Sequence, residues 1–325
     1  MRARAIVVVM TDTTAALFDR LADRYDQVIP FFAEFAGQLL DVLGPEPGTR
    51  LLDIGSGRGA IAAAAAARGC AVTAVDAAPR MVSLLAAAHP EIDVRLMDVH
   101  RLDLPGASYD LATGGFVIHL VTDPLRVLAG LRRVLRPGAR VALTTPGPCQ
   151  DHGRWDAWNT LVDQFASRAA GRLPRRDYEV APGLRAAGFA DIRTVNLAVH
   201  LPVASPQTCW DFHMSHGFAA TVEALDPADA ADFKRHALAE LTRMHESGGI
   251  VLDRGAVAYL ATVPANDHFA PDSHRGLCDA RERCLLGELL RVCLPGLEAH
   301  DCGPGAGTGS IGRVIDPFYD DLLRR

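Results

Sequence analysis

Aspartates, glycines, histidines and a cysteine in this chain could do chemistry, and they recur at suggestive intervals. Asp53 stands two residues ahead of Gly55, with Gly57 and Gly59 following at alternate positions. A backbone without Cβ turns sharply at positive φ and lies against a ligand that a side chain would push away, so this stretch predicts main-chain contact with a bound molecule. Gly55-x-Gly57-x-x-Ala60 also satisfies the dinucleotide-binding pattern, and a purely structural turn from strand to helix would use the same residues. Asp76, 19 residues past Gly57, closes a short apolar run where a carboxylate can accept both hydroxyls of a ribose. Asp98 closes the next run and could accept from an adenine amino group, with the backbone of Val99 reading the ring edge. A solvated turn acid is the plain alternative. His119, and His213 with His216, are the candidates for proton removal because imidazole titrates near neutrality. Cys209-x3-His213-x2-His216 lacks a fourth ligand and a zinc-type spacing, so no metal is expected.

These residues need a scaffold of alternating strands and helices. Thr11 to Leu43 carries apolar residues at helical intervals on either side of Pro30, which predicts two leading helices. Strands follow at Thr49 to Ile54, Ala71 to Val75, Ile92 to Met97, Tyr109 to Thr113, Arg140 to Thr145, Asp191 to Leu201 and Gly255 to Val263. Helices intervene at Ala60 to Arg68, Pro79 to about Ala88, Pro124 to Leu135 and Tyr178 to Ala187, and a helical stretch is expected around Trp155 to Phe165. Such alternation builds right-handed βαβ units and a parallel sheet covered on both faces, with ligands over the carboxyl ends of the strands.

At 325 residues the chain can bury a large core, and its net charge of −6 leaves no basic surplus for nucleic-acid phosphates. A small molecule is the expected partner. The apolar run Ile6 to Val9 is far shorter than the roughly 20 residues that span a bilayer. It reads as an edge strand or as sequence ahead of a start at Met10, and the expected location is the cytoplasm. Seven cysteines at irregular spacing do not make a secreted disulfide framework.

Taken together, Phe18 to Asp26, Leu51 to Gly59, Ala74 to Asp76 with Met81, Asp98, and Arg133 to Gly138 resemble class I S-adenosylmethionine-dependent methyltransferases of the quinone-type and polyketide-tailoring group. The likeness covers residues 18–138. It implies an α/β, Rossmann-like, seven-stranded, mostly parallel sheet with the last strand antiparallel. It also implies that S-adenosyl-L-methionine is held by Tyr25, Asp53, Gly55, Gly57, Gly59, Asp76, Met81, Asp98 and Val99. In that arrangement Asp53 and the glycines cradle the methionine end, Asp76 takes the ribose, Asp98 and Val99 take the adenine, and Tyr25 closes over the methionine carboxylate. Ala139 replaces a second glycine after Arg136-Pro137-Gly138, a loop change that leaves this expectation intact.

The methyltransferase domain is expected over residues 11–263, with inserts 151–176 and 202–249 forming the substrate side. Trp155, Trp158, Trp210, Phe212 and Phe218 fall in these inserts; as core they need no explanation, and as a group flanking the cofactor mouth they suggest a flat, aromatic or polyketide-like acceptor methylated at oxygen or carbon. His216 and His119 are the expected catalytic side chains. Two other readings stay open: a methyltransferase fold that uses the bound cofactor for a cyclisation or rearrangement, and a non-catalytic nucleotide-binding scaffold. Residues 264–325 form an extension with an amphipathic stretch, Arg275 to Cys293, that could pack on a second copy of the chain as a homodimer. Cys278, Cys284, Cys293 and Cys302 are spaced for helix burial rather than a metal knuckle, and the glycine run from Cys302 to Gly309 reads as a linker.

Overall fold

Alternate residues of a buried strand face opposite ways, and the first strand shows what this does to the molecule. Leu51 packs into one apolar cluster with Phe35, Leu39 and Ala62, while Leu52 packs into a second with Leu128, Leu131 and Leu184. The sheet is therefore sandwiched between two helical layers. The computed structural model of the protein describes residues 13–149, 151–169 and 178–265. The N-terminal run Ile6 to Val9, part of the first insert, the amphipathic stretch Arg275 to Cys293 with its cysteines, and the glycine run from Cys302 lie outside the described residues.

In chain order the elements are α1 (Thr13–Leu21), α2 (Phe31–Leu43), β1 (Arg50–Ile54), α3 (Ala60–Ala67), β2 (Ala71–Asp76), α4 (Pro79–Ala88), β3 (Asp93–Leu96) and β4 (Tyr109–Gly114). They continue with α5 (Pro124–Val134), β5 (Leu135–Gly147), α6 (Asp156–Ala166), α7 (Val180–Ala186), β6 (Ala190–Val203), α8 (Pro206–His213), α9 (Phe218–Glu223), α10 (Pro227–Glu246) and β7 (Ile250–Thr262). The seven strands run in the order β3-β2-β1-β4-β5-β7-β6. Pairs from β3 to β5 are parallel, and β7 is antiparallel to both β5 and β6, as the resemblance implied.

Local chemistry sets the helix starts. Asp123 accepts from the Arg126 N–H at 3.1 Å ahead of Pro124, and Asp226 accepts from the Asp229 N–H at 2.8 Å ahead of Pro227. Each cap satisfies a donor that the first turn leaves unpaired, and proline at the first helical position loses nothing because its N–H would be unpaired there anyway. α3 is nearly all alanine, so it lies close to β1 and α2 without bulky side chains.

Three features differ from the sequence expectation. β5 begins at Leu135, not Arg140: Leu135 pairs with Tyr109 before Arg136 to Ala139 loop out and pairing resumes between Arg140 and Leu111. β7 begins at Ile250, and its first five residues pair only with β6, from Ile250 opposite Val203 to Arg254 opposite Val199. The insert aromatics do not gather at a ligand mouth. Trp155, Trp158, Trp210, Phe212 and Phe218 are buried with Phe233, Leu241 and Leu252 in a separate core built by α6, α8, α9, α10 and the early part of β7. Their apolar area is satisfied within the insert, so they carry no argument for a flat acceptor.

The antiparallel edge has no room at Gly255. A Cβ there would sit 1.9 Å from the Pro148 carbonyl oxygen, a backbone atom that has no rotamer to change. Gly255→Ala is expected to destabilise the protein by about 1–3 kcal/mol in denaturant unfolding. An unchanged midpoint would contradict this register of β5 against β7.

Candidate cofactor site

The loop after β1 reaches the tip of β2 through one carboxylate. The Gly57 N–H donates to Asp76 Oδ2 at 2.8 Å and the Ala78 N–H donates to Asp76 Oδ1 at 2.9 Å. One side chain thus fixes both the glycine loop and the start of α4. Burial raises the Asp76 carboxyl above the usual carboxylate range, and the bonds from Ala78, Gly57 and Ala77 oppose that shift.

Gly57 has φ +54, and a Cβ on it would face only the edge of the Tyr25 ring, 3.6 Å away. The backbone is bare where the loop meets open space. Gly59 has a different reason to be glycine. It caps α3 at φ +88, and a Cβ would lie 2.3 Å from Leu85 Cδ1.

A cavity of about 570 Å³ opens beside this loop. Of the residues singled out in the sequence, Tyr25, Gly55, Gly57, Asp76, Met81, Asp98 and Val99 line it. A smaller cavity of about 50 Å³ adjoins it, sharing Tyr25, Gly55, Gly57, Gly115 and Phe116 as walls and adding Asp26, Asp53 and Ser56. Asp53 is 1% exposed and accepts from the Thr113 hydroxyl at 2.8 Å. Burial pushes its carboxyl up to about 7, with Asp76 adding to the shift and Thr113 opposing it. Asp26, at φ +55, is pushed up to about 6 by burial, against a bond from the Phe32 N–H and the charge of Arg58. The Ser56 hydroxyl is buried there without a hydrogen-bond partner among the described residues. An acid-lined pocket with an unmatched hydroxyl fits a ligand bearing both an ammonium and an acceptor group.

Tyr25 stacks on Phe32 with ring centroids 4.8 Å apart and meets Phe18 edge-on at 5.7 Å. Burial, with Asp26 and Asp76 nearby, raises its hydroxyl pKa, so Tyr25 stays neutral.

Not every expected residue comes to these walls. Gly59, His119 and His216 line neither cavity. His119 sits in the turn after β4. His216 lies behind Phe32, ring centroids 6.1 Å apart, and its Nδ1 donates to the Phe212 carbonyl at 2.7 Å. Burial pushes His216 down to about 4 and His213 to about 3, with Arg254 lowering both further. Both imidazoles are neutral at physiological pH, which makes them hydrogen-bonding groups rather than proton stores. Among the described residues no three metal-ligating side chains gather, and no helix is long and apolar enough to cross a membrane.

Sequence reasoning missed Phe116, which lines both cavities at a strained φ of +55, and also Asp26 and His100. Asp26 directly follows Tyr25 and was within reach of the same pattern. Nothing in the local sequence marks Phe116 for a left-handed backbone; its N–H donates to the Thr144 hydroxyl on the neighbouring strand at 3.0 Å.

Comparison with known proteins identifies the family. Residues 52–143 match the family described as "Methyltransferase domain". Nocamycin O-methyltransferase of Saccharothrix syringae is 33% identical over 269 residues, covering 75% of this chain and 96% of that protein. The chain is an S-adenosylmethionine-dependent class I methyltransferase. Malonyl-[acyl-carrier protein] O-methyltransferase of Serratia marcescens is 30% identical over 190 residues, 56% of this methyltransferase and 74% of its relative. Aklanonic acid methyltransferase of Streptomyces sp. (strain C5) is 33% identical over 139 residues, covering 40% of this chain and 63% of that one.

The methyltransferase's Asp53 offers a direct check on the electrostatics. Its carboxyl is expected to titrate near 7 by carbon NMR of labelled aspartate. Thr113→Val removes a bond that favours the ionised form, so it should raise that midpoint by about one pH unit. A midpoint near the ordinary value of 3.8 would contradict the burial described here.

Proposed function

We propose that this methyltransferase transfers a methyl group to an oxygen of a small, polyketide-like metabolite, with the adenosyl part of its cofactor in the 570 Å³ cavity. The observation that carries the reading is the placement of Asp76, which lines that cavity while holding the bare glycine loop from behind. Its carboxylate would accept the ribose hydroxyls, Asp98 and Val99 the adenine edge, and Met81 the apolar face of the nucleoside. Asp53, with Asp26 and the bare loop at Gly55 and Gly57, would take the ammonium of the methionine end, and Tyr25 would close over its carboxylate. Gly59 would act from behind, by letting the loop enter α3. When bound, S-adenosylmethionine supplies an electrophilic methyl group on a sulfonium.

Transfer of that group is an in-line displacement, so the protein's task is alignment and exclusion of water. Phe116, Phe32 and Tyr25 form an aromatic boundary that would exclude water from the sulfonium side. Oxygen is favoured as the acceptor atom because the nocamycin and malonyl relatives are both named O-methyltransferases. The domain so proposed runs over residues 11–263, with inserts 151–176 and 202–249 on the acceptor side. The unprotonated Nε2 of His216, neutral and behind Phe32, would accept a hydrogen bond from the acceptor's hydroxyl, with His119 as a second candidate after β4.

Calorimetric titration with S-adenosylhomocysteine tests the cofactor assignment. Binding should be lost in Asp76→Ala, and incubation with S-adenosylmethionine and polyketide acids or phenols should add one methyl group by mass. Because burial keeps Asp53 protonated below about 7, affinity for the cationic amino acid end should rise with pH, by up to about tenfold per unit below that midpoint. A nucleoside that binds equally to Asp76→Ala would overturn the site. His216→Ala should lower kcat by about tenfold, the loss of one hydrogen bond, while leaving cofactor affinity unchanged. Full activity in that variant would reduce His216 to packing.

A further inference from the structure

Asp98 does two things at once. It caps a single turn of tight helix, Val99–Arg101, and it lines the large cavity. Among the described residues, both hydrogen bonds that its side chain receives come from one residue and land on one oxygen. The His100 N–H donates to Asp98 Oδ1 at 2.9 Å, and His100 Nδ1 meets the same oxygen at 2.7 Å. Oδ2 keeps its lone pairs for a ligand.

The far side of the imidazole is also held. His100 Nε2 lies 3.3 Å from the Asp123 backbone nitrogen and 3.3 Å from the Thr122 hydroxyl. A backbone N–H can only donate, so Nε2 accepts and the ring proton sits on Nδ1. That is the tautomer that donates to Asp98, so the two ends of the ring demand the same protonation state. Arg126 Nε donates to the His100 carbonyl at 2.9 Å, and Asp123 caps α5, so the loop before α5 is fixed to the turn after β3. Thr122, Asp98 and His100 all line the cavity.

We infer that His100 is a positioning residue: it orients the Asp98 carboxylate toward the exocyclic amino group of the cofactor's purine and ties that carboxylate to Thr122 and Asp123 ahead of α5. The inference rests on the proposed adenosyl site. Partial burial pushes the Asp98 carboxyl up, but the backbone and side-chain bonds from His100, with the charge of Arg126, outweigh it and hold the group below the ordinary carboxylate value. Asp98 therefore stays ionised and is a strong acceptor for an amino N–H. The turn alone would need no imidazole, since the His100 N–H already caps it.

The test compares affinities for S-adenosylhomocysteine and for its 6-deamino purine analogue, which lacks only the amino group. The wild-type protein should prefer the adenosyl form by about tenfold or more. His100→Phe keeps a ring without nitrogen and should bring the ratio close to one. His100→Asn retains a donor near the Nδ1 position and should restore most of the preference, although it loses the contact to Thr122 and Asp123. Thermal unfolding of both variants is measured alongside. Equal loss of both affinities with an unchanged ratio marks a merely structural histidine and overturns the inference. So does a wild-type ratio in His100→Phe, or a wild-type ratio near one. Absence of S-adenosylhomocysteine binding by the wild type is a separate outcome that overturns the adenosyl site itself.

Discussion

The hydrogen bonds that Asp76 accepts from Gly57 and Ala78 hold the rest of the site in place. A parallel sheet delivers strand ends to one edge, but it does not decide how the loops above them stand relative to one another. Here a single carboxylate at the end of β2 takes an N–H from the glycine loop of β1 and another from the start of α4. The bare backbone at Gly57 and the apolar floor at Met81 are thereby set on the two sides of one cavity. Burying a carboxylate is costly unless donors surround it, and these backbone donors offset that cost while leaving the acid exposed to the cavity.

Charge is distributed unevenly around this edge. Asp53 is buried near the loop and Asp26 and Asp76 are half-buried there, and desolvation raises the pKa of each. Asp98, on the other side, is held down by its bonds to His100. The insert carries the opposite pattern, with His213 and His216 kept neutral by burial beside Arg254, whose guanidinium lies 4.2 Å over the Trp155 ring. A cationic ligand is thus favoured toward the glycine loop, and the histidine side offers neutral hydrogen-bonding groups.

The insert helices are a second structure grafted on the sheet. β6 and β7 run on past the end of β5, and the extra rungs from Val199 to Val203 against Ile250 to Arg254 carry Leu252 and Ile250 into the insert's own core. The insert therefore stands on a rigid extension of the sheet, and its aromatic residues are used up in holding it together. What reaches the cavities is a different set, Phe18, Tyr25, Phe32, Phe35 and Phe116, drawn from the leading helices, the segment between them and the turn after β4.

By itself the sequence determined the strand and helix alternation, the glycine loop, and the acids Asp53, Asp76 and Asp98, because each is written in local spacing: period-two apolar runs, a bare turn, an acid at a strand end. The antiparallel last strand and the identity of the cofactor were legible through the family resemblance of residues 18–138. Tertiary structure decided what depends on distant partners. Asp26 gains its raised pKa and Phe116 its contact with Thr144 only when segments far apart in the chain close together. The insert aromatics, read as a ligand wall, became a core because apolar surface on α6, α8 and α10 is buried most completely against itself. His100 carries no signal of its own in the chain; it acquires a role only because the parallel crossover returns Thr122 and Asp123 to the far side of its ring.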